Sequence, residues 1–306
     1  MNTVIVIGNG FDIDLGWNTS YKDFYDSKNG WDTFKSEEEH DLFQYVIHHA
    51  AENWFDFEKT LHDYGKLQSK AKDISPDLIE KDKQSFYDIG KELAAFIQKQ
   101  SQKPVSEYSF AYGLLETYIK VYKYQKERER DKGSLPKLFS FNYTDIEGVA
   151  KQIDPKFPFS YTPVHGAFNK GCFIFGILDD MEIPKDYRFL QKSNDDDYSS
   201  CGILNALKDA DNIIFFGLSM GYIDSIYFKN LFESISVVQD ADSRKNKKIT
   251  FITRDKETKR QIKNNLQDIG ISPQILSNTS DVDFILTRDD DRVQHVDKFN
   301  RLLATL

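Results

Sequence analysis

The sequence predicts an α/β protein: a Rossmann-like, doubly wound, mostly parallel sheet with a helical insertion after the first strand. Three observations carry that prediction. Val4-Ile5-Val6-Ile7 is an unbroken run of β-branched residues, the pattern of a strand covered on both faces, as in a parallel sheet. From Leu135 onward, short apolar runs that end in Gly or polar residues alternate with helix-period segments, the order of βαβ units. Between these two regions, residues 41–133 lose strand character and show helical spacing instead. We therefore expect one domain over residues 1–306, with 41–133 as a helical insertion or subdomain.

Taken in order, the first strand runs directly into Gly8-Asn9-Gly10-Phe11-Asp12. Gly8 and Gly10 carry no Cβ and tolerate positive φ, so the backbone there can approach a ligand closely. A helix opening at this point would offer unpaired N–H groups to a phosphate. A third Gly is missing from the dinucleotide fingerprint, so a tight strand-to-helix turn without a ligand is an equal reading. In the insertion, Trp54, Phe57, Leu61 and Tyr64 share one helical face, as do Phe86, Ile89, Leu93, Phe96 and Ile97. Tyr108, Ala111, Tyr112, Leu115, Tyr118, Ile119 and Tyr122 form a third stripe, followed by a charge-dense stretch that stops at Gly133. Strands are expected at Leu138 to Phe141, Tyr161 to Val164, Cys172 to Phe175, Ile213 to Phe216 and Ile249 to Thr253. Helices follow over Asp224 to Val238, Asp255 to Asp268 and Asp289 to Leu303. Tyr187 to Ser200 and Gln239 to Lys248 read as exposed surface loops.

Composition narrows the function classes. With 306 residues the chain can bury a full core. A hydrophobic fraction of 40% with 29% charged residues is that of an ordinary globular protein. A net charge of −9 argues against a broad nucleic-acid or anionic-membrane surface. The two cysteines, Cys172 and Cys201, have neither the spacing nor the histidine partners of a zinc site and read as reduced thiols. The apolar run at the N-terminus lacks a basic leader, and no later segment reaches the length of a membrane span. The expectation is a soluble cytoplasmic protein.

In an open α/β sheet, ligands sit at the carboxyl ends of the strands. Reading only those ends gives Gly8 to Asp12, then Asn142-Tyr143-Thr144-Asp145, His165-Gly166, Gly176 with Asp179-Asp180, and Gly217-Leu218-Ser219-Met220-Gly221 with Asp224. Each has a plainer reading. His165 could cap a turn, although an imidazole titrating near neutrality suits proton transfer. Asn142 could bond its own backbone in a turn, and Asp12 could N-cap the helix after the first strand. Asp179 and Asp180 could form a divalent-metal pair with Asp12 or Asp14, but adjacent aspartates on a loop are commonly solvated, and no metal is expected. Glu58 shares a helical face with Trp54 and is either a structurally paired buried acid or a group that reaches the site. The tyrosine stripe reads as helix packing, since a nucleic-acid platform would need interleaved Arg and Lys.

The ordered set of motifs resembles the AbiH-type bacteriophage abortive infection proteins. It comprises Ile7 to Asp12, Thr19 to Phe24, Trp54-Phe55-Asp56-Phe57-Glu58, Phe141 to Thr144, His165-Gly166, and Phe216 to Gly221 with Asp224 and Tyr227-Phe228. The resemblance spans essentially the whole chain and departs at Leu218, where that family commonly has His. Through that family the chain is distantly similar to sirtuin-type, SIR2-like NAD-binding proteins. That similarity implies a SIR2-like sheet and NAD, or a related nucleotide, as substrate or ligand. It aligns Gly8, Gly10 and Asp12 with the first cofactor loop, Asn142 with the asparagine of the second, His165 with the catalytic histidine, and Gly217 and Ser219 with the last loop. Asp12 replaces the loop serine, and Thr144 stands where the second loop has aspartate. Two cysteines cannot build the four-cysteine zinc module of protein deacylases.

What the resemblance implies is an anti-phage NAD+ glycohydrolase that releases nicotinamide and ADP-ribose. His165, Asn142 and Asp12 would be its catalytic residues, and Gly8, Asn9, Gly10, Phe11, Thr144, Gly217, Ser219 and Asp224 its cofactor-binding set. Two readings stand beside it: a catalytically inactive nucleotide sensor, and a metal-dependent nuclease or phosphoesterase built on Asp12, Asp179 and Asp180. The sequence leaves open a homo-oligomer and a phage-derived trigger.

Overall fold

The computed structural model describes residues 2–27, 41–50, 57–71, 74–128, 135–156, 159–167, 172–179, 182–198, 201–236, 247–289 and 291–306. In chain order the elements are β1 (Thr3–Ile7), α1 (Asn9–Asp14), α2 (Tyr21–Asp26), α3 (Leu42–Ala50), α4 (Phe57–Gln68), α5 (Pro76–Ser101), α6 (Phe110–Arg128), β2 (Lys137–Ser140), α7 (Ile146–Ile153) and β3 (Thr162–Pro163). There follow β4 (Gly166–Ala167), β5 (Cys172–Phe173), two 3-10 turns (Lys185–Leu190 and Lys192–Asn194), α8 (Ile203–Asp209), β6 (Asn212–Phe216), α9 (Tyr222–Ser236), β7 (Lys248–Thr253), α10 (Lys256–Asp268), α11 (Pro273–Thr279), β8 (Asp281–Leu286) and α12 (Arg292–Leu303). The chain divides into two compact units, Met1–Trp17 with Pro104–Val164 and Ser200–Leu306, and Asn18–Lys103 with His165–Ser199.

The first unit holds a six-stranded sheet in the order β3-β2-β1-β6-β7-β8, parallel at every pairing. Counting only this sheet's strands along the chain, the spatial order is three, two, one, four, five, six, that of the dinucleotide-binding fold. β1 lies at the centre, with Ile5 opposite Leu138 on one side and Ile214 on the other. That position accounts for its composition: all five residues of β1 and all five of β6 are buried, so neither strand has a solvent face on which to place polar residues. β8 is an edge strand and is covered only toward its end, with Asp281 exposed, Val282 to Phe284 half-buried, and Ile285 and Leu286 buried. The sequence prediction lacks β8 because acidic residues interrupt its apolar pattern.

Helices α8 and α9 cover one part of the sheet through Ile203, Leu207, Phe228 and Phe232, which join Val4, Val6, Phe215 and Phe251 in one apolar core. Helix α6 belongs to this unit. Its N-terminus is tied to α1 by Asp14, whose carboxylate accepts from the Ala111 N–H at 2.9 Å. Phe110 meets Phe299 of α12 edge-on at 4.8 Å. Ala111, Leu115, Tyr118 and Ile119 of the predicted stripe are buried, while Tyr108 precedes the helix and stands 90% exposed.

The second unit is built from α2 to α5, the antiparallel hairpin β4–β5 and the two 3-10 turns. Cys172 to Phe175 thus supplies a hairpin strand here, outside the main sheet. Helix α2 opens with a reciprocal cap: the Ser20 hydroxyl accepts from the Asp23 N–H, and the Asp23 carboxylate accepts from the Ser20 N–H, each at 3.1 Å. The Thr19 to Phe24 motif is therefore a helix start that sets Phe24 against Phe96, 5.5 Å between ring centroids. Phe86 of α5 stacks on Phe175 at 5.2 Å and meets Phe189 at 5.8 Å. Of residues 187–200, expected as an exposed loop, 199 and 200 lie outside the described residues, and Arg188, Ser193, Asn194, Asp196 and Asp197 are exposed. Tyr187, Phe189, Leu190 and Lys192 are buried, because the 3-10 turn inserts its aromatic residues into the helical core.

Phe228 has no exposed surface and lies 5.1 Å from Phe215 and 5.5 Å from Phe141. Phe228→Ala should therefore cost about 3–5 kcal/mol through the lost transfer energy and the cavity left behind. The readout is a fall in the urea midpoint with an unchanged slope.

Candidate functional site

Beginning from the backbone, the segment after β1 and the segment after β6 lie against each other at the point where the strand order reverses. The Gly8 N–H donates to the Phe216 carbonyl and the Gly10 N–H to the Gly217 carbonyl, both at 2.9 Å. Gly217 sits at φ +69°, in the left-handed region that favours glycine. A Cβ on Gly217 would lie 2.3 Å from the Phe11 nitrogen, and one on Gly10 would lie 2.6 Å from the Gly217 Cα. A Cβ on Gly8 would lie 2.8 Å from the Leu218 side chain. Gly8 and Gly10 themselves avoid positive φ. Their lack of a side chain serves the contact between two loops, a use that motif spacing alone does not reveal. The Phe11 N–H donates to the Gly8 carbonyl at 2.8 Å, so three amides of the turn are bonded within the chain.

Polar side chains close the arrangement on the β2 side. Asp12, Asn142 and Thr144 are all buried. The Asn142 amide nitrogen donates to the Gly8 carbonyl at 2.9 Å and to the Asp12 carboxylate at 2.8 Å. The Thr144 hydroxyl donates to the same carboxylate oxygen at 3.1 Å. Asn142 is set by its own turn, its N–H donating to the Ser140 hydroxyl at 3.1 Å. Among the described residues its amide oxygen takes no hydrogen bond and remains an acceptor. Asp145, one residue on, caps α7 by accepting from the Gly148 N–H at 2.9 Å. Asp12 lies inside α1, whose N-cap is Gly8, so it works as a buried acceptor instead of as the cap.

The remaining candidates fall as follows. Phe11 is fully buried, edge-on to Phe216 at 5.1 Å. Asn9 and Ser219 are exposed on the two glycine loops, and Asn265 of α10 donates to the Ser219 carbonyl at 2.8 Å. Asp224 belongs to α9, and its side chain lies outside the described residues, as do Trp54 and Asp180. Among the described residues, no group of three or more His, Cys, Asp or Glu is placed to hold a metal ion.

His165 begins the hairpin of the second unit. It is buried, and its carbonyl accepts from the Ile174 N–H at 3.0 Å. Burial, and after it the Lys192 cation, hold its imidazole well below the ordinary histidine range, so it is neutral at physiological pH. Glu58 of α4 is buried and paired, its carboxylate 2.9 Å from the Lys192 ammonium.

One cluster in the same unit was not foreseen from sequence. Asp82 of α5 has no exposed surface and accepts from the Tyr64 hydroxyl at 2.6 Å, the Tyr187 hydroxyl at 2.7 Å and the Leu42 N–H at 2.8 Å. One carboxylate thus joins α3, α4, α5 and the first 3-10 turn. An acid on an apolar helical stripe was its only sequence signal. Burial raises the Asp82 carboxyl above its usual range, against the lowering effect of its three donors.

The strand order defines a doubly wound, Rossmann-like α/β protein. The family model described as "Bacteriophage abortive infection AbiH" matches residues 4–242, and the chain belongs to that family. No curated protein matches it. Similar solved structures include a mutant Sir2 homologue in complex with ADP-ribose, at 13% identity and a TM-score of 0.40, covering 99% of this chain and 92% of that one. Another is Sir2 bound to acetylated peptide, at 10% identity and a TM-score of 0.37, covering 99% and 92%. No helix among the described residues is long and apolar enough to cross a membrane.

Two expected outcomes follow from the geometry. Gly217→Ala should destabilise the chain by at least about 2 kcal/mol, since it adds backbone overlap to an unfavourable φ. Gly16→Ala, at φ +98° with no atom within 4 Å of the added carbon, should cost only about 1 kcal/mol. Comparing the two by urea denaturation separates packing from conformation. For Asp82, a folded midpoint above the unfolded one means that its contribution is full in acid and is lost as pH rises through the folded midpoint. The stability of the wild type relative to Asp82→Asn should therefore increase as pH falls from neutrality toward the ordinary carboxylate range, as read from urea midpoints at neutral pH and at about pH 4.

Proposed function

We propose that the chain acts in anti-phage defence by binding NAD at the strand ends of its parallel sheet and hydrolysing it to nicotinamide and ADP-ribose. The observation that carries this reading is the Asp12–Asn142–Thr144 cluster, built at the ends of β1 and β2 beside the reversal point of a sheet with the dinucleotide-binding strand order. Membership in an abortive infection family supports the biological role, and the motif similarity to sirtuin-type proteins supports the choice of substrate.

The donor set suits the sugar better than the pyrophosphate. The amides of Gly8, Gly10 and Phe11 are already bonded within the chain, so they are not free to cradle an anion. The Asn142 amide oxygen is a fixed acceptor for a ribose hydroxyl, held in place by the two bonds of its nitrogen. Asn9 and Ser219, exposed on the two glycine loops, supply polar side chains for the phosphates. Hydrolysis breaks the bond between ribose C1 and the nicotinamide nitrogen, and the bonding electrons leave with nicotinamide. The oxocarbenium-like carbon is captured by water. The proton that water loses goes to a base, the role that the motif similarity to sirtuin-type proteins gives to His165.

The test is chromatographic. Purified protein incubated with NAD should release free nicotinamide. His165→Ala should reduce the rate by about 100-fold or more, the usual contribution of a general base, with the fold retained by circular dichroism. Asn142→Ala should raise KM for NAD. A second reading, a sensor that binds without turnover, draws on the same asparagine, because its amide oxygen can hold a ribose hydroxyl whether or not the glycosidic bond breaks. NAD raising the melting temperature without release of nicotinamide would select that reading.

A further inference from the structure

The ends of β7 and β8 carry side chains that the proposed chemistry does not use. The same tripeptide stands where each strand ends, Thr253-Arg254-Asp255 and Thr287-Arg288-Asp289. Their backbones stay paired: the Thr287 N–H donates to the Thr253 carbonyl at 2.9 Å, and the Arg288 N–H donates to the Arg254 carbonyl at 2.7 Å. Both threonines are buried and both arginines are exposed. The two arginines thus stand side by side on the carboxyl edge, where an open α/β sheet takes its ligands.

The acids of the two tripeptides are engaged within the chain. Asp255 caps α10, accepting from the Thr258 N–H at 2.9 Å and the Thr258 hydroxyl at 3.0 Å, and its other oxygen accepts from the Arg254 Nε at 2.7 Å. Asp289 pairs with the Lys256 ammonium at 3.1 Å and faces the His295 Nε2 at 3.5 Å. Asp255 therefore anchors the Arg254 guanidinium by one nitrogen only. Among the described residues the two terminal nitrogens of Arg254 take no hydrogen bond, and neither does the Arg288 side chain, whose charge offsets part of the burial that raises the Asp14 carboxyl.

In the proposed reaction the ribose that is cleaved lies at the ends of β1 and β2, and the phosphates cross the glycine loops after β1 and β6. With the strands in the order β2-β1-β6-β7-β8, the other half of the dinucleotide continues toward the ends of β7 and β8. Neighbouring strands are about 4.8 Å apart, so β7 ends about 14 Å from β2. A strand end that holds the unmodified ribose of NAD offers an acid to the ribose hydroxyls, whereas an arginine accommodates the 2′-phosphate of NADP. Here the acids are taken and the arginines are open. A guanidinium holds phosphate through paired N–H donors, and in a chain of net charge −9 a local pair of cations is what favours the approach of a further phosphate.

We propose that Arg254 and Arg288 form the subsite for a phosphate on the 2′ oxygen of the far ribose, so that this chain takes NADP in preference to NAD. The inference rests on the dinucleotide lying along the strand ends as in the proposed function, and it is tested by binding, which needs no turnover.

The experiment is calorimetric titration of the intact chain with adenosine 2′,5′-bisphosphate and with adenosine 5′-monophosphate, which differ only in the 2′-phosphate. The wild type should bind the bisphosphate at least about tenfold more tightly, the worth of a hydrogen bond to a charged group. Arg254→Gln and Arg288→Gln should each reduce that preference, and the double variant should abolish it, with the fold retained by circular dichroism. Arg254→Lys, which keeps the charge and loses the fork, should fall between Arg254→Gln and the wild type. Equal affinity of the wild type for the two nucleotides would overturn the inference, as would binding of neither. Equal weakening of both by the substitutions would also overturn it, by assigning the arginines to the phosphate that the nucleotides share. The hydrolase reading fails separately. An arginine-dependent preference for the bisphosphate in a protein that releases nicotinamide from neither NAD nor NADP would uphold the subsite against hydrolysis, and release at equal kcat/KM from both would uphold hydrolysis against the subsite.

Discussion

The contact on which the first unit depends is backbone against backbone, Gly10 on Gly217. Parallel neighbours β1 and β6 both end at this place, and their connections would ordinarily diverge to leave a crevice. Here the two connections stay together for another residue or two, exchanging hydrogen bonds from Gly8 to Phe216 and from Gly10 to Gly217. That extra pairing holds α1 near the sheet and brings Asp12 within reach of Asn142 and Thr144. A single methyl group on either glycine would push the loops apart and dissolve the polar cluster with them.

Buried charge is used the same way in both units. Asp12, Asp82 and the Lys192–Glu58 pair each cost desolvation energy, and each is bonded to groups from several segments. A carboxylate with two or three donors fixes relative positions more narrowly than an apolar contact, because hydrogen bonds have a direction. Asp82 takes this furthest, since its three donors come from three different elements. The penalty of breaking such a node is larger than its net contribution to stability, as the remaining donors are left without an acceptor. These nodes therefore specify geometry more than they add free energy.

Much of the sheet was legible in the sequence. Val4 to Ile7 and Ile213 to Phe216 are uniformly apolar because both faces of the central strands are covered, and no other environment asks for that pattern. The alternation of strand and helix after Leu135 gave the winding. The strand ends were legible too, and Gly8, Gly10, Asp12, Asn142, Thr144 and Gly217 do meet within one unit. The roles within the cluster were hidden. The glycines read as room for a ligand and turned out to face each other, and Asp12, expected in the site with helix capping as its plainer reading, is the shared acceptor of Asn142 and Thr144. Strand β8 escaped notice because Asp281 and Asp283 break up its apolar run.

The sequence by itself determined the fold class, the order of the elements and the edge of the sheet on which the polar residues would gather, since periodicity and strand-end composition are local properties. Tertiary structure decided which partner each polar group took. Lys192 lies in a stretch whose aspartates and serines read as solvated surface, and only the insertion of the Tyr187 to Leu190 turn into the helical core buries it beside Glu58, far away in the chain. Likewise nothing near Asp82 announces that two tyrosines from other elements will share its carboxylate. Hydrogen bonds and ion pairs act over a few ångströms, and chain separation carries no record of them, so that choice belongs to the folded state.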